Sequence, residues 1–195
     1  DRFTRNADWL DGPFQLTRKL TGAKLGIVGM GRIGQAIAKR AAAFDMVISY
    51  TTRNERSDVP YKYVPNVLAL AADVDFMVVI TPGGAATKNL INAEVLKALG
   101  PQSFLVNVAR GSVVDQVALI EALQKKLIAG AGLDVYVDEP NVPAELRKLD
   151  NVVLTPHIAS ATVETRKAMS ALALANLEAF MAGQPVLTPV PECRT

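Results

Sequence analysis

Only one cysteine, Cys193, stands in this chain of 195 residues. No intramolecular disulfide can form, so a buried core must hold the fold, and such sparing use of cysteine fits a reducing, cytoplasmic compartment. Cys193 itself reads as an ordinary surface residue near the chain end. An excess of one charge is also missing: 21 basic against 19 acidic residues leave a net charge of +2, which argues against nucleic acid as a partner. No apolar run approaches the ~18–20 residues of a membrane-spanning helix, so no membrane is expected either. No secretory signal pattern opens the chain. What the chain has in quantity is hydrophobic residues, 50% of the total, enough to bury a sizeable core. The first residue is Asp1, not Met, and Asp1 to Leu20 is a polar stretch with Trp9 and Gly12-Pro13 but no core pattern of its own. That reads as a piece of a longer, or a processed, protein.

Against this background the run Leu25-Gly26-Ile27-Val28-Gly29-Met30-Gly31-Arg32-Ile33-Gly34 stands out. An apolar, strand-like stretch leads directly into Gly-x-Gly-x-x-Gly, and an alanine-rich helical pattern follows. That strand–turn–helix setting gives the glycine pattern its meaning as a dinucleotide-binding turn. Gly29 permits the tight turn, Gly31 lets a pyrophosphate approach the backbone, and Gly34 lets the helix lie close on the strand. The free N–H groups and positive dipole end of the helix then face the phosphates, with Arg32 and Ile33 among the expected cofactor contacts.

Apolar runs alternate with helical patterns along the rest of the chain. Strands are predicted at Lys24–Val28, Val47–Tyr50, Phe76–Ile80, Phe104–Asn107, Gly130–Leu133 and Val152–Leu154, with a short one at Lys62–Val64. Helices are predicted at Ile33–Phe44, Val67–Ala72, Ala93–Leu99, Asp115–Lys126 and Thr162–Ala182. Asn92 and Asn66 are placed to cap helices; Gly100-Pro101 and Gly183 are placed to end them. The strands are near-continuous apolar runs, as expected where both sheet faces are covered. Repeated strand–helix–strand units imply a doubly wound, parallel α/β sheet of Rossmann type. The expected organisation is a crossing segment at 1–20, a dinucleotide-binding domain at 21–160, and a helix and tail at 161–195 that lean on an absent substrate domain.

The cofactor is read at the end of the second strand. An NAD-selective site carries an Asp or Glu about 20 residues after the glycines begin. Here Ser49 stands twenty residues past Gly29 and Tyr50-Thr51-Thr52-Arg53-Asn54 follows; Asp45 comes too early. Hydroxyls and an arginine replace the acid, and an arginine pairs with a 2′-phosphate that a carboxylate would repel. The expectation is NADP(H) in preference to NAD(H), with Arg53 as main contact, Thr52 assisting, and Arg56 a rival for the role.

Three later segments end strands, where ligands gather in an open parallel sheet. Asn107-Val108-Ala109-Arg110-Gly111 offers a cation able to hold a carboxylate in bidentate fashion. Gly132-Leu133-Asp134-Val135 places an acid at a strand end, followed by Asp138-Glu139-Pro140. Pro156-His157-Ile158 carries the only histidine, which can exchange a proton at neutral pH. Together, and in this order, these segments resemble the cofactor-binding portion of the D-isomer-specific 2-hydroxyacid dehydrogenases, over about Leu20 to Val190. The resemblance is nearest to the glyoxylate/hydroxypyruvate reductase branch, which includes hydroxyphenylpyruvate reductases. It implies His157 as proton donor and acceptor, Glu139 as its hydrogen-bonded partner, and Arg110 as the group that binds the substrate carboxylate and polarises its carbonyl. It also implies cofactor contacts at Thr81, Pro82, Val108, Ala109 and Asp134, a homodimer through the nucleotide-binding domain, and reduction of a small 2-oxoacid to a D-2-hydroxyacid. The stretch Pro82-Gly83-Gly84-Ala85 departs from the more usual proline-rich loop.

Other readings compete. The same family includes dinucleotide-sensing transcriptional corepressors that use this fold as a binding module, and fold does not fix function. A formate dehydrogenase of the superfamily would carry glutamine in place of Glu139. A purely structural nucleotide-binding domain leaves His157 unexplained.

Overall fold

The computed structural model describes residues 1–190, so Cys193 lies outside the described residues. Two compact units are present, Asp1–Leu154 and Thr155–Thr195. The crossing segment expected at 1–20 falls within the first unit, and the unit boundary comes at residue 154.

The first unit is built on seven parallel strands: β1 (Lys24–Val28), β2 (Val47–Thr51), β3 (Lys62–Tyr63), β4 (Phe76–Val79), β5 (Phe104–Asn107), β6 (Gly130–Leu133) and β7 (Val152–Leu154). Their spatial order is β3-β2-β1-β4-β5-β6-β7. The predicted strands and the doubly wound parallel sheet are therefore present. The order reverses between β1 and β4, where Val28 pairs with Val79. Just beyond that pair lies the crevice at which open sheets of this type bind ligands.

Helices α1 (Arg2–Arg5), α2 (Arg32–Ala42), α3 (Val67–Ala71), α4 (Ala93–Leu99), α5 (Gln116–Gln124) and α6 (Ala144–Arg147) complete the unit. Asn66, Asn92 and Asp115 cap α3, α4 and α5, each side chain accepting a backbone N–H. Leu70, Leu96, Leu105, Leu119, Leu123 and Ile128 form the larger core cluster. Ile27, Met30, Ala38, Ile48 and Tyr50 form a second cluster between α2 and the β1–β2 pair. Burial is continuous through most of β1 and β2 but alternates in β4 and β5. The half-buried positions there include Phe76 and Phe104, whose rings stack at 5.3 Å.

At the amino edge of the sheet Asp73 receives Lys24 at 2.5 Å and Lys62 at 3.4 Å. Arg18 binds Asp75 at 2.7 Å and tethers the leading segment to this edge. Hydrogen bonds from Lys24 and Lys62 hold the Asp73 carboxyl below the usual carboxylate range.

The second unit carries α7 (Val163–Met181). Thr162 caps it by accepting from Thr165 N–H, and Gly183, at φ 69°, ends it. Asn176 grips Thr188 on both backbone N–H and side-chain hydroxyl, at 3.0 and 2.9 Å, and folds the tail back on the helix. Among the described residues no helix is long and apolar enough to cross a membrane.

Candidate functional site

The glycine turn has the geometry its spacing predicts. Gly29 adopts φ 108°, and a Cβ there would stand 2.9 Å from the backbone N of Thr81. A Cβ on Gly34 would fall 2.1 Å from Gly29 O, so only glycine allows α2 to start this close to β1. Gly31 differs from both: a Cβ would meet nothing within 4 Å. Its space opens outward, and no side chain caps the start of α2. The first N–H groups of an eleven-residue helix are left for a ligand with negative charge.

A groove of about 890 Å³ lies along this turn, a volume suited to a cofactor. Gly29, Gly31, Arg32, Ile33 and Gly34 line one side, Thr52, Arg53 and Asn54 one end, and Thr81, Pro82 and Thr87 the facing wall. The structure thus brings together, in one groove, the glycine run with Arg32 and Ile33, the two β2-end residues, and Thr81 with Pro82. Thr87 Oγ1 donates to Pro82 O at 2.7 Å and pins that wall.

The two rival arginines separate clearly. Arg56 is committed: its Nε and Nη2 donate to the Asp58 carboxylate at 2.8 and 2.5 Å. That carboxylate raises the Arg56 pKa, and Arg56 in turn lowers that of Asp58. Arg53 is exposed, lines the groove, and makes no ion pair among the described residues. Thr52, which also lines the groove, donates its hydroxyl to Asn54 O at 2.6 Å.

Beyond β5 the chain forms a rigid bracket. Asn107 is 1% exposed. Its side-chain oxygen accepts from Ala109 N–H at 3.1 Å, and its amide donates to Arg110 O at 3.2 Å. Val108 N–H donates to Val79 O, so the bracket is anchored to the end of β4. The Arg110 guanidinium donates back to Ala109 O at 2.6 Å. The Arg110 stem lies on the main chain of Gly83, where a Cβ would approach its Cγ to 2.9 Å. The unusual glycine at 83 thus has a local reason: it leaves room for the arginine beside the groove wall.

Gly111 abuts the β6 loop even more tightly, since a Cβ there would fall 2.0 Å from the backbone carbon and oxygen of Tyr136. In that loop Tyr136 N–H donates to the Glu139 carboxylate at 3.0 Å and Val137 N–H to Gln116 Oε1 at 3.3 Å. Asp134 is buried and its N–H donates to Asn107 O at 3.1 Å. The loops bearing Arg110 and Glu139 are therefore packed backbone to backbone in the first unit. His157 belongs to the second unit, exposed, at φ 52°, in a turn closed by its own N–H on Thr155 O at 3.1 Å.

From the sequence alone Asn107 and Gly111 have no task, and Gly83 is marked only as part of an unusual loop. An amide at a strand end, three residues before a cation, is the signal that could have marked the bracket. Tyr50 and Tyr63 were also missed; their hydroxyls bind the backbone on either side of Arg53.

The family profile of the D-isomer specific 2-hydroxyacid dehydrogenase, NAD binding domain, matches residues 1–159. A glyoxylate/hydroxypyruvate reductase A of Arabidopsis thaliana is 49% identical over 190 residues, covering 97% of this chain and 61% of the relative. A hydroxyphenylpyruvate reductase of Plectranthus scutellarioides is 48% identical over the same shares. Among solved structures, an NADPH-dependent glyoxylate/hydroxypyruvate reductase from Sinorhizobium meliloti, in complex with NADP and malonate, superposes with a TM-score of 0.93 at 48% identity. That match covers 98% of this chain and 60% of the other. The chain thus spans about 60% of the length of the relatives it matches.

Proposed function

The chain belongs to the D-isomer specific 2-hydroxyacid dehydrogenase family, and on that footing we propose that it is the cofactor-binding part of an NADP(H)-dependent reductase of small 2-oxoacids. The products are the corresponding 2-hydroxyacids, of D configuration where C2 is stereogenic, and glyoxylate, hydroxypyruvate or an aryl pyruvate is the substrate class. The observation that carries the reading is the seating of the Arg110 stem on Gly83, next to Pro82 in the groove wall. A carboxylate-binding cation and a dinucleotide groove then stand side by side in the first unit.

The residues present fit the cofactor. Gly31 leaves open the space that a Cβ would take, the start of α2 offers N–H groups, and Arg53 stands uncommitted at the end where an adenosine 2′-phosphate would be recognised. Thr81, Pro82, Val108, Ala109 and Asp134 complete the proposed contacts. When bound, the dihydronicotinamide supplies a hydride to the carbonyl carbon. Arg110 pairs with the substrate carboxylate and stabilises charge growing on the carbonyl oxygen. His157 carries the proton that this oxygen takes up, with Glu139 as the acid assigned to support it.

The reductases named above support this reading, and the regulator reading gains no support from them. A homodimer through nucleotide-binding domains and a cytoplasmic location belong to the same proposal. The test is a panel of glyoxylate, hydroxypyruvate, phenylpyruvate and pyruvate against NADPH and NADH, using the protein together with its substrate domain. Turnover with NADPH preferred is expected; no turnover of any oxoacid overturns the proposal.

A further inference from the structure

We propose that Tyr50 is a positioning residue for cofactor selectivity: its buried hydroxyl closes the Thr52–Arg56 loop and so holds Arg53 ready for a 2′-phosphate. This rests on the NADP(H) reading and carries it from the cation to the scaffold behind it.

The tyrosine ring is fully buried in the cluster shared with Ile27, Met30 and Ile48. A phenylalanine would fill the same space, so packing alone does not call for the hydroxyl. That hydroxyl makes two bonds to one residue six positions on: it accepts from Arg56 N–H at 2.9 Å and donates to Arg56 O at 3.2 Å. The loop leaving β2 is thereby tied back to the strand from which it departs. Tyr63, whose ring lies 5.5 Å from that of Tyr50, donates to Thr52 O at 3.3 Å and secures the other end. Thr52 Oγ1 bonds Asn54 O across the middle. The Arg56 side chain is occupied by Asp58. Every fastening in this loop thus leaves the Arg53 guanidinium uncommitted while fixing the backbone on both sides of it.

The consequence is chemical and selective. A loop already closed loses less freedom on binding than a loose one, so the benefit appears only for a ligand that uses Arg53. A cofactor with a bare 2′-hydroxyl makes no such use and is indifferent to the Tyr50 hydroxyl. Removing that hydroxyl lowers discrimination between phosphorylated and unphosphorylated ligands without disturbing the rest of the groove.

The experiment measures equilibrium binding of adenosine 2′,5′-bisphosphate and of AMP by calorimetry to the whole protein, so that catalysis is not required. Wild type is expected to bind the bisphosphate more tightly, and Arg53→Ala to abolish the difference. Tyr50→Phe is expected to cut the ratio of affinities by roughly 3–10-fold, the worth of about one net hydrogen bond, with AMP affinity unchanged. In the Arg53→Ala background Tyr50→Phe should do nothing further, because it acts through that arginine. Tyr63→Phe, a second variant that spares the buried cluster, should shift the ratio in the same direction. A wild-type ratio in Tyr50→Phe, an equal loss for both ligands, or a further loss in the double variant overturns the inference while leaving the cofactor reading intact. Absence of discrimination in wild type overturns the cofactor reading, and the inference with it.

Discussion

Replacing Gly111 by alanine tests how the two functional loops of the first unit are held together. The added methyl would stand 2.0 Å from the backbone carbon and oxygen of Tyr136 and 2.4 Å from Val137 N. Ordinary contacts between such atoms lie near ~3.5–4.0 Å, so the loops must part by more than an ångström. The obstacle is main chain and cannot be relieved by a rotamer change. Overpacking of this kind costs roughly 1–3 kcal/mol, with the upper end expected because backbone must move. For a protein of this size that corresponds to a fall in Tm of roughly 2–12 °C. The functional loss should exceed what stability predicts, because the displaced segments bear Arg110 and Glu139. Calorimetric melting, together with kcat/KM for the oxoacid and the affinity for adenosine 2′,5′-bisphosphate, separates the effects. Stability and kcat/KM should fall while nucleotide affinity persists, since the groove residues lie between Val28 and Leu90. Wild-type melting and wild-type kcat/KM in Gly111→Ala would refute the packing argument.

Further expectations follow from the same geometry. His157→Gln should slow turnover by roughly 10²–10⁴-fold, the usual worth of a general acid–base, with nucleotide affinity retained in calorimetry; near-normal kcat would remove His157 from the mechanism. Asn107→Ala leaves the Ala109 N–H without its partner, a loss of roughly 1–3 kcal/mol, and should raise KM for the oxoacid more than KM for NADPH because the bracket presents Arg110. Asp73 has a carboxyl held below its ordinary value of 3.8, so its ion pairs contribute stability above that pH and lose it as pH falls through the depressed value. Melting of Asp73→Asn against wild type should therefore show a difference that is constant from neutral pH down to about 5 and shrinks below the ordinary carboxylate range; a difference independent of pH would mean that charge is not its source.

Regular elements were readable from the chain because each carried its own punctuation. The strands Lys24–Val28, Phe104–Asn107, Gly130–Leu133 and Val152–Leu154 match the sequence reading residue for residue. So does the helix Ala93–Leu99, fixed by Asn92 before it and Gly100 after it. The reading of α2 erred at both ends: the helix opens at Arg32, one residue early, and stops at Ala42, short of Phe44. Apolar periodicity continues through Ala43 and Phe44, but Asp45 takes φ 57° and turns the chain into β2. The short helices Arg2–Arg5 and Ala144–Arg147 were missed, since four residues are too few to display a period. In the site, side chains that differ in chemistry from their surroundings were legible: the glycine run, Arg53, Arg110. The Asn107 bracket and the Tyr50 fastening were not, because although their partners lie within six residues only the fold buries them, and the Tyr63 fastening and the glycine contacts at 83 and 111 were not, because each depends on a partner further off in sequence. Tyr63 meets Thr52, Gly83 meets Arg110, and Gly111 meets Tyr136.

These long-range contacts explain why the first unit can separate recognition of the nucleotide from the chemistry. All groove residues number between Val28 and Leu90 and belong to Asp1–Leu154, whereas His157 lies in Thr155–Thr195. The glycine turn is set by contacts between β1, α2 and the end of β4, and the Arg53 loop by bonds from β2 and β3. Neither set draws on the Arg110 bracket, which leans on β4, β6 and the Glu139 loop instead. Two frames, both footed on the end of β4, therefore adjoin at the Pro82–Gly83 stretch, where Pro82 faces the groove and Gly83 supports the arginine stem. Gly83→Ala is the variant that interrogates this joint: its methyl would approach Arg110 Cγ to 2.9 Å, a flexible stem able to swing aside. The expected result is a raised KM for the oxoacid, little change in Tm, and unchanged affinity for adenosine 2′,5′-bisphosphate. A loss of nucleotide affinity equal to the loss in KM would mean that the two frames are one.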